Sequence, residues 1–406
     1  MGTGPVVRLF VRALALLVPV ALACAVGCAG RDGARVPEAL ALKNWQNARQ
    51  TDDYRDADAA AVEGLGLAMQ GAAPERPANK PINILCVSGG GKYAAFAAGA
   101  LNGWTATGTR PTFDVCNGIS SGAAVALMAF LGPKYDGDLR DIFLNLKRSD
   151  LFVWRPVVGI ATGTGLMSSR PLEQLLAFRI TAEVVADVRA AHRFGRRLFV
   201  GTQNVFTHRL VVWDVGALAD SGRPDAVELV RKVLLAACSI PGIVPPVEFD
   251  VTVNGRNYKE LHADAGNLSQ VFVRTAGPLP PGSAVWILSA GKTHPNVSKG
   301  RPREIESMAL AVSAGLYALF RADCMKLYAL CGVTRSRFNL MAVPQDFQGR
   351  TSSMVFYREE SARLYLTGYQ MATGAAWQTR PPDGAPGGAP GDVPPPRAGT
   401  DFLAPE

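Results

Sequence analysis

The chain has 406 residues, 48% of them hydrophobic and 19% charged, which is enough apolar material for one large domain or two small ones. The formal net charge is +8, yet no run of five or more basic residues occurs. That scatter excludes a localised nucleic-acid footprint and leaves a mildly basic surface compatible with anionic lipid. From the N-terminus, Arg8 and Arg12 precede an apolar stretch from Ala13 to Ala25. It is shorter than the about 20 apolar residues a membrane span needs and suits a secretory signal peptide. Ala25-Val26-Gly27-Cys28 resembles a bacterial lipoprotein cleavage box, in which Cys28 becomes the lipidated first residue. Ordinary cleavage near Ala29 is the alternative, and both mean export. The expected location is the periplasm or outer membrane, with a lipid anchor on Cys28.

Residues 29–80 are Ala-rich and charged, with expected helical pieces, and close in a linker, GAAPERPANKP. Ile82 to Val87 is an apolar run entering Gly89-Gly90-Gly91, as expected for a buried strand and a glycine turn. Ala94 to Trp104 reads as a helix. Phe113 to Cys116 is a second strand, followed by Gly118-Ile119-Ser120-Ser121-Gly122 and an apolar helix from Ala123 to Leu131. Strand, glycine turn and helix thus occur twice in succession, the pattern of βα units on a parallel sheet. Further strands are expected at Arg197 to Phe206, Leu210 to Val215, Val285 to Ser289 and Phe338 to Val343. Helices are expected at Ile305 to Leu330 and Ser361 to Met371. The expected fold class is α/β, a three-layer α/β/α domain with a mostly parallel central sheet over residues 81–376. A Pro/Gly-rich disordered tail follows over 377–406.

Cys86, Cys116 and Cys238 lie in apolar runs and read as buried free thiols. Cys324 and Cys331 are two helical turns apart, roughly 10 Å, too far for a disulfide unless the helix breaks between them. No cysteine pair has zinc-ligand spacing, and no metal or cofactor is expected. Phe152 and Trp154 are read as core, with acyl-pocket lining as the alternative.

Three features carry chemistry. Ser120 sits in G-x-S-x-G between an apolar strand and an apolar helix. A tight turn there lifts Oγ into the open, small residues two positions either side let the backbone pass, and the helix directs its positive end at the site. Gly89, Gly90 and Gly91 can turn their N–H groups towards one point, as an oxyanion hole or a phosphate cradle. A P-loop fails because position 86 is Cys and Tyr93 follows Lys92; a dinucleotide fingerprint fails at Ala94. The third feature is a base for Ser120. Asp264 serves either alone, in a Ser–Asp dyad, or in a triad with His294 or His262, and sequence spacing leaves these alternatives open.

Taken together, the pieces resemble the patatin-like phospholipases. The resemblance rests on Gly89-Gly90-Gly91 with Gly99, on Gly118-Ile119-Ser120-Ser121-Gly122, on the block Ala236 to Pro246 with Pro241, Pro245 and Pro246, and on Asp264-Ala265-Gly266, in the family's order. It implies that Ser120 forms an acyl-enzyme, that Asp264 takes its proton and later activates water, and that the amides of Gly89, Gly90 and Gly91 form the oxyanion hole. Phospholipid or another lipid ester at a membrane surface is the implied substrate. Tyr93, Ala94 and Ala265 depart from the family pattern. A non-catalytic, lipid-anchored envelope protein on the same fold is the remaining alternative.

Overall fold

Apolar runs bounded by glycine turns become the centre of the sheet, because strands buried on both faces need apolar residues at every position. The computed structural model describes residues 35–37, 48–49, 53–54, 77, 79–155, 165–273, 279–296, 304–349 and 353–382. Its strands are β1 (Ala48–Arg49), β2 (Asp53–Tyr54), β3 (Asn83–Val87), β4 (Val115–Ile119), β5 (Val153–Trp154), β6 (Met167–Ser168), β7 (Arg197–Asn204), β8 (Arg209–Asp214), β9 (Val247–Val253), β10 (Arg256–Asp264), β11 (Ala284–Leu288) and β12 (Arg337–Met341). The helices are α1 (Ala94–Ala106), α2 (Ser121–Leu131), α3 (Asp136–Asn145), α4 (Arg170–Arg179), α5 (Ala182–Arg193), α6 (Val215–Ala219), α7 (Ala226–Ala237), α8 (Glu304–Thr334) and α9 (Arg358–Thr373).

One sheet runs in the order β12-β11-β3-β4-β7-β10-β9-β2, with β8 on β7 and β1 on β8; β5 and β6 form a separate hairpin. From β12 to β7 neighbouring strands are parallel, the pairs β7–β8, β7–β10 and β10–β9 are antiparallel, and β1 and β2 add to β8 and β9 in parallel. The side-chain period of two splits each central strand between two cores. Leu85, Val87 and Cys116 face the core under α1, α2, α5, α7 and α9, while Ile84, Cys86 and Val115 face Phe320, Cys324, Leu327 and Cys331 of α8. The result is the expected three-layer α/β/α arrangement. Helix α9 lies so close to α1 that a Cβ at Gly99 or Gly368 would overlap the opposing backbone.

Several boundaries moved. Strand β4 starts at Val115 rather than Phe113 and runs through Gly118 to Ile119, because pairing with β7 continues to Ile119 opposite Gly201. The hairpin β9–β10 has Asn254 and Gly255 at its turn, both with positive φ, as a two-residue turn requires. Within 29–80 the described residues are extended: β1 pairs with β8, β2 with β9, and Arg35 bridges Lys259. The helical pieces expected in that segment lie outside the described residues. Trp377 packs at a steep angle against Trp104 and Trp286, and Gln378 exchanges backbone hydrogen bonds with Leu340, so the domain extends past 376. Residues 383–406 lie outside the described part, as do residues 1–34 with Cys24 and Cys28. Helix α8 continues unbroken through Cys324 and Cys331, both buried and free, so no bridge forms between them. Phe152 is core, as expected; Trp154 is half exposed.

Candidate active site

The register of β7 builds the site. One edge of β7 pairs first with β4, up to Ile119 opposite Gly201, and then with β10, from Asp264 opposite Thr202; β8 takes the other edge. The C-terminal ends of β4 and β10 therefore meet head to head. Ser120 follows one and Asp264 closes the other, so residues far apart in sequence become neighbours. The Ser120 hydroxyl lies close enough to the Asp264 carboxylate to help hold it ionised.

Ser120 has φ 53° and ψ −134°, a conformation in which a side chain is strained. Tight packing imposes it. A Cβ at Gly118 would stand 2.6 Å from the Gly122 carbonyl oxygen, and one at Gly122 would overlap the carbonyls of Val87 and Ser88. Helix α2 starts at Ser121 with no acidic residue in its first turn, so its positive end is left for developing charge near Ser120.

The glycine loop touches the nucleophile. A Cβ at Gly89 would lie 2.8 Å from Ser120 Cβ and 3.6 Å from its Oγ. At Gly90 a Cβ would overlap the Ala290 carbonyl; Gly91 has φ 57° and abuts Ser353. The amides flanking the three glycines are tied down: Ser88 N donates to Leu288 O, Lys92 N to Ser353 O and Tyr93 N to Gly90 O. Ser88 Oγ accepts from Ala290 N at 2.9 Å and donates to Gly89 O at 3.1 Å, stapling the loop to the end of β11.

Asp264 is buried, and its Oδ1 accepts from Gly266 N at 2.8 Å while its own N donates to Ser239 O. Burial raises its pKa from 3.8 to about 6, against the opposing pull of the Ser120 hydroxyl and the Gly266 amide. A carboxylate with that pKa is ionised at neutral pH and still a competent proton acceptor. Ala265, which departs from the family pattern, is not among the residues with positive φ, so its turn carries no backbone strain. The turn is held from α8, where buried Asp323 accepts from Ser269 Oγ and Gln270 N. Cys238 lies nearby, and burial first and Asp264 second push its thiol up to about 12, which removes it as a rival nucleophile.

The two histidines weighed as bases sit differently. His262 is fully buried; Nδ1 meets Thr202 Oγ1 and Nε2 meets Glu260 Oε2, each at 2.9 Å, and its ring packs edge-on against Trp213 and Phe249. Both ring nitrogens are thus engaged away from Ser120. His294 is half-buried on the segment after β11, with Nδ1 at Thr293 Oγ1. Replacing His262 by Ala is expected to lower unfolding stability by about 1–3 kcal/mol, since Glu260 is left buried without that partner, with kcat little changed. His294→Ala is expected to leave both near the parent. A stopped-assay comparison with chemical denaturation checks this, and a large kcat loss at full folding in either variant would restore the triad.

Sequence reasoning missed the roles of Ser88, Ala290 and Asp323 in holding the site. Only Asp323 left a trace, a carboxylate inside an apolar helix between Phe320 and Cys324.

A family model described as patatin-like phospholipase matches residues 85–276, the stretch that holds the glycine loop, Ser120 and Asp264. The resemblance drawn from the ordered blocks is borne out over that stretch. No curated protein matches the sequence. Two solved structures share its outline at low similarity. VipD from Legionella pneumophila is 12% identical, with 73% of this chain and 67% of that one covered and a TM-score of 0.37. Human GIVD cytosolic phospholipase A2 is 12% identical, with 77% of this chain and 62% of that one covered and a TM-score of 0.35. Likenesses this distant say nothing about activity or substrate.

Proposed function

Because residues 85–276 are matched as a patatin-like phospholipase domain, we propose that the chain is a serine acyl hydrolase cleaving fatty acyl esters of membrane lipids, of the phospholipase A or lysophospholipase type. The observation that carries this reading is the juxtaposition of Ser120 and Asp264 at the meeting of β4 and β10, with the glycine loop against Ser120. Asp264 takes the Ser120 proton as Oγ attacks the acyl carbonyl. The amides of Gly89 to Gly91 and the N-terminus of α2 stabilise the tetrahedral oxyanion. The proton on Asp264 passes to the leaving alkoxide, and Ser120 keeps the acyl group. Water then attacks the acyl-enzyme with Asp264 again as base, releasing fatty acid and restoring Ser120. A fluorophosphonate probe and a phospholipid panel, applied to the parent and to Ser120 and Asp264 variants, test the scheme. A parent that neither labels nor releases fatty acid would reduce the conclusion to the fold.

Membrane contact is part of the proposal. Helix α8 reaches the segment after β11 and the glycine loop: Arg321 Nη1 donates to Thr293 O, and Tyr317 adds to burial in raising the Tyr93 pKa. Between Glu306 and Arg321 it carries no charge, and Leu310, Val312 and Leu316 are exposed. Such an uncharged helix segment with exposed apolar side chains suits partial burial in a lipid surface. Replacing the three by Ser is expected to cut fatty-acid release from vesicles by ~10-fold or more, since each buried apolar side chain is worth about 1.5–3 kcal/mol, and to spare a soluble short-chain ester. Equal loss on both substrates would count against the interface. Export and anchoring through Cys28 complete the proposal, supported by the leader sequence. In a bacterial host, Cys28→Ser is expected to move the protein from the membrane fraction to the soluble periplasm.

A further inference from the structure

Lys92 directly follows the glycine loop, yet it does not face the site. Its Nζ lies 2.9 Å from Glu360 Oε1 on α9, with the two side chains 1% and 5% exposed. An ammonium this deeply buried is tolerable only against a counter-charge, so the position of Glu360 dictates where Lys92 can lie. The carboxylate is confined in turn. A Cβ at Gly349 would stand 2.8 Å from Glu360 Oε1 and 3.1 Å from Tyr93 Oη. Helix α9 is locked along α1 by the close approaches at Gly99 and Gly368, and α1 begins immediately after the loop. Three ties thus hold the three glycines. Ser88 Oγ joins one end to Ala290, while Lys92 N joins the other end to Ser353 O and the Lys92 side chain reaches Glu360. All three partners, Ala290, Ser353 and Glu360, lie beyond the stretch matched by the family model.

We propose that Glu360, acting through Lys92, is a positioning residue that sets the amides of Gly89, Gly90 and Gly91 against Ser120. The proposal rests on the acyl-hydrolase function for its kinetic consequence, but the positioning is measurable without catalysis. The experiment compares hydrogen exchange of peptides covering residues 88–93 in the whole mature chain, together with kcat, KM and thermal midpoint on a soluble ester. The variants are Glu360→Gln and the double replacement Lys92→Met with Glu360→Leu. Glu360→Gln is expected to speed exchange in 88–93 and lower kcat by ~10- to 100-fold with KM little changed, the scale of loss that small misplacements of reacting groups produce. The double variant exchanges a buried ion pair for apolar groups of similar size, so it is expected to fold about as stably as the parent. It should keep the faster exchange and the low kcat, because apolar packing fixes no direction for the loop. Parent-like exchange and kcat in the double variant would overturn the proposal and leave the pair as filler. The double variant also decides the matter if Glu360→Gln does not fold. A parent that exchanges slowly in 88–93 but cleaves no ester would sink the enzymatic function, and the exchange comparison would still decide the role of Glu360.

Discussion

Ser120→Ala is expected to lower kcat by ~10⁴-fold or more and to abolish labelling by a fluorophosphonate, while the protein remains folded. The hydroxyl supplies both the nucleophile and the acyl carrier, and Cys238, the thiol beside Asp264, is held as a neutral group by burial. A second variant at the same position separates chemistry from strain. Ser120→Gly lacks the hydroxyl just as Ser120→Ala does, so the two differ only in the backbone. With φ 53° and ψ −134°, a residue bearing Cβ costs about 1–3 kcal/mol here, whereas glycine adopts the conformation freely. Glycine also loses roughly 0.5–1 kcal/mol more chain entropy on folding. The glycine variant should therefore be more stable than the alanine variant by about 1 kcal/mol, read from denaturant midpoints at constant slope. Equal midpoints would mean that the elbow stores no strain. Retained hydrolysis in either variant would remove Ser120 as the nucleophile.

The parts legible in the sequence are those set by local pattern. Apolar runs ending in Gly89-Gly90-Gly91 and Gly118-Ile119-Ser120 gave β3, β4 and the elbow, because chain direction changes there only where side chains are absent. Asp264 was legible through its block and not through spacing. Its approach to Ser120 depends on β10 taking over from β4 along one edge of β7, a register that no local signal encodes. The hairpin β9–β10 carried a readable signal, Asn254-Gly255 between alternating residues. Charged Glu248, Asp250 and Lys259 on its outer face obscured the strands, and they pair with one another across the hairpin. Ser88, Asp323 and Glu360 were not legible because each acts on a partner distant in sequence. A buried Glu in the first turn of α9 looks like any N-terminal acid until Lys92 is placed beside it. The family pattern places a basic residue one position further on, at Tyr93; here Lys92 is turned away from the site and spent on structure.

Asp264→Asn should show the same residue acting in opposite senses on activity and stability. Burial holds the Asp264 pKa at about 6 in the folded protein, against 3.8 for the free side chain. The folded state therefore binds this proton more tightly than the unfolded chain, and stability falls as pH rises from about 4 to about 6. Above that window the full cost is present, about 3 kcal/mol for a rise from 3.8 to about 6. Asparagine keeps an oxygen for Gly266 N and carries no charge, so the variant is expected to be more stable than the parent by about 2–3 kcal/mol at pH 7.5 and nearly equal to it at pH 4. Activity runs the other way. The parent's kcat/KM should climb tenfold per pH unit below about 6 and level off above it, because only the carboxylate can take the Ser120 proton. In Asp264→Asn the plateau should drop by ~10³–10⁴-fold and that limb should vanish. Denaturation curves at pH 4 and pH 7.5, with a pH–rate profile for each protein, separate the outcomes. A variant that is less stable at both pH values would mean that Asp264 is a structural anchor. An unchanged limb near pH 6 would assign the proton transfer to another group.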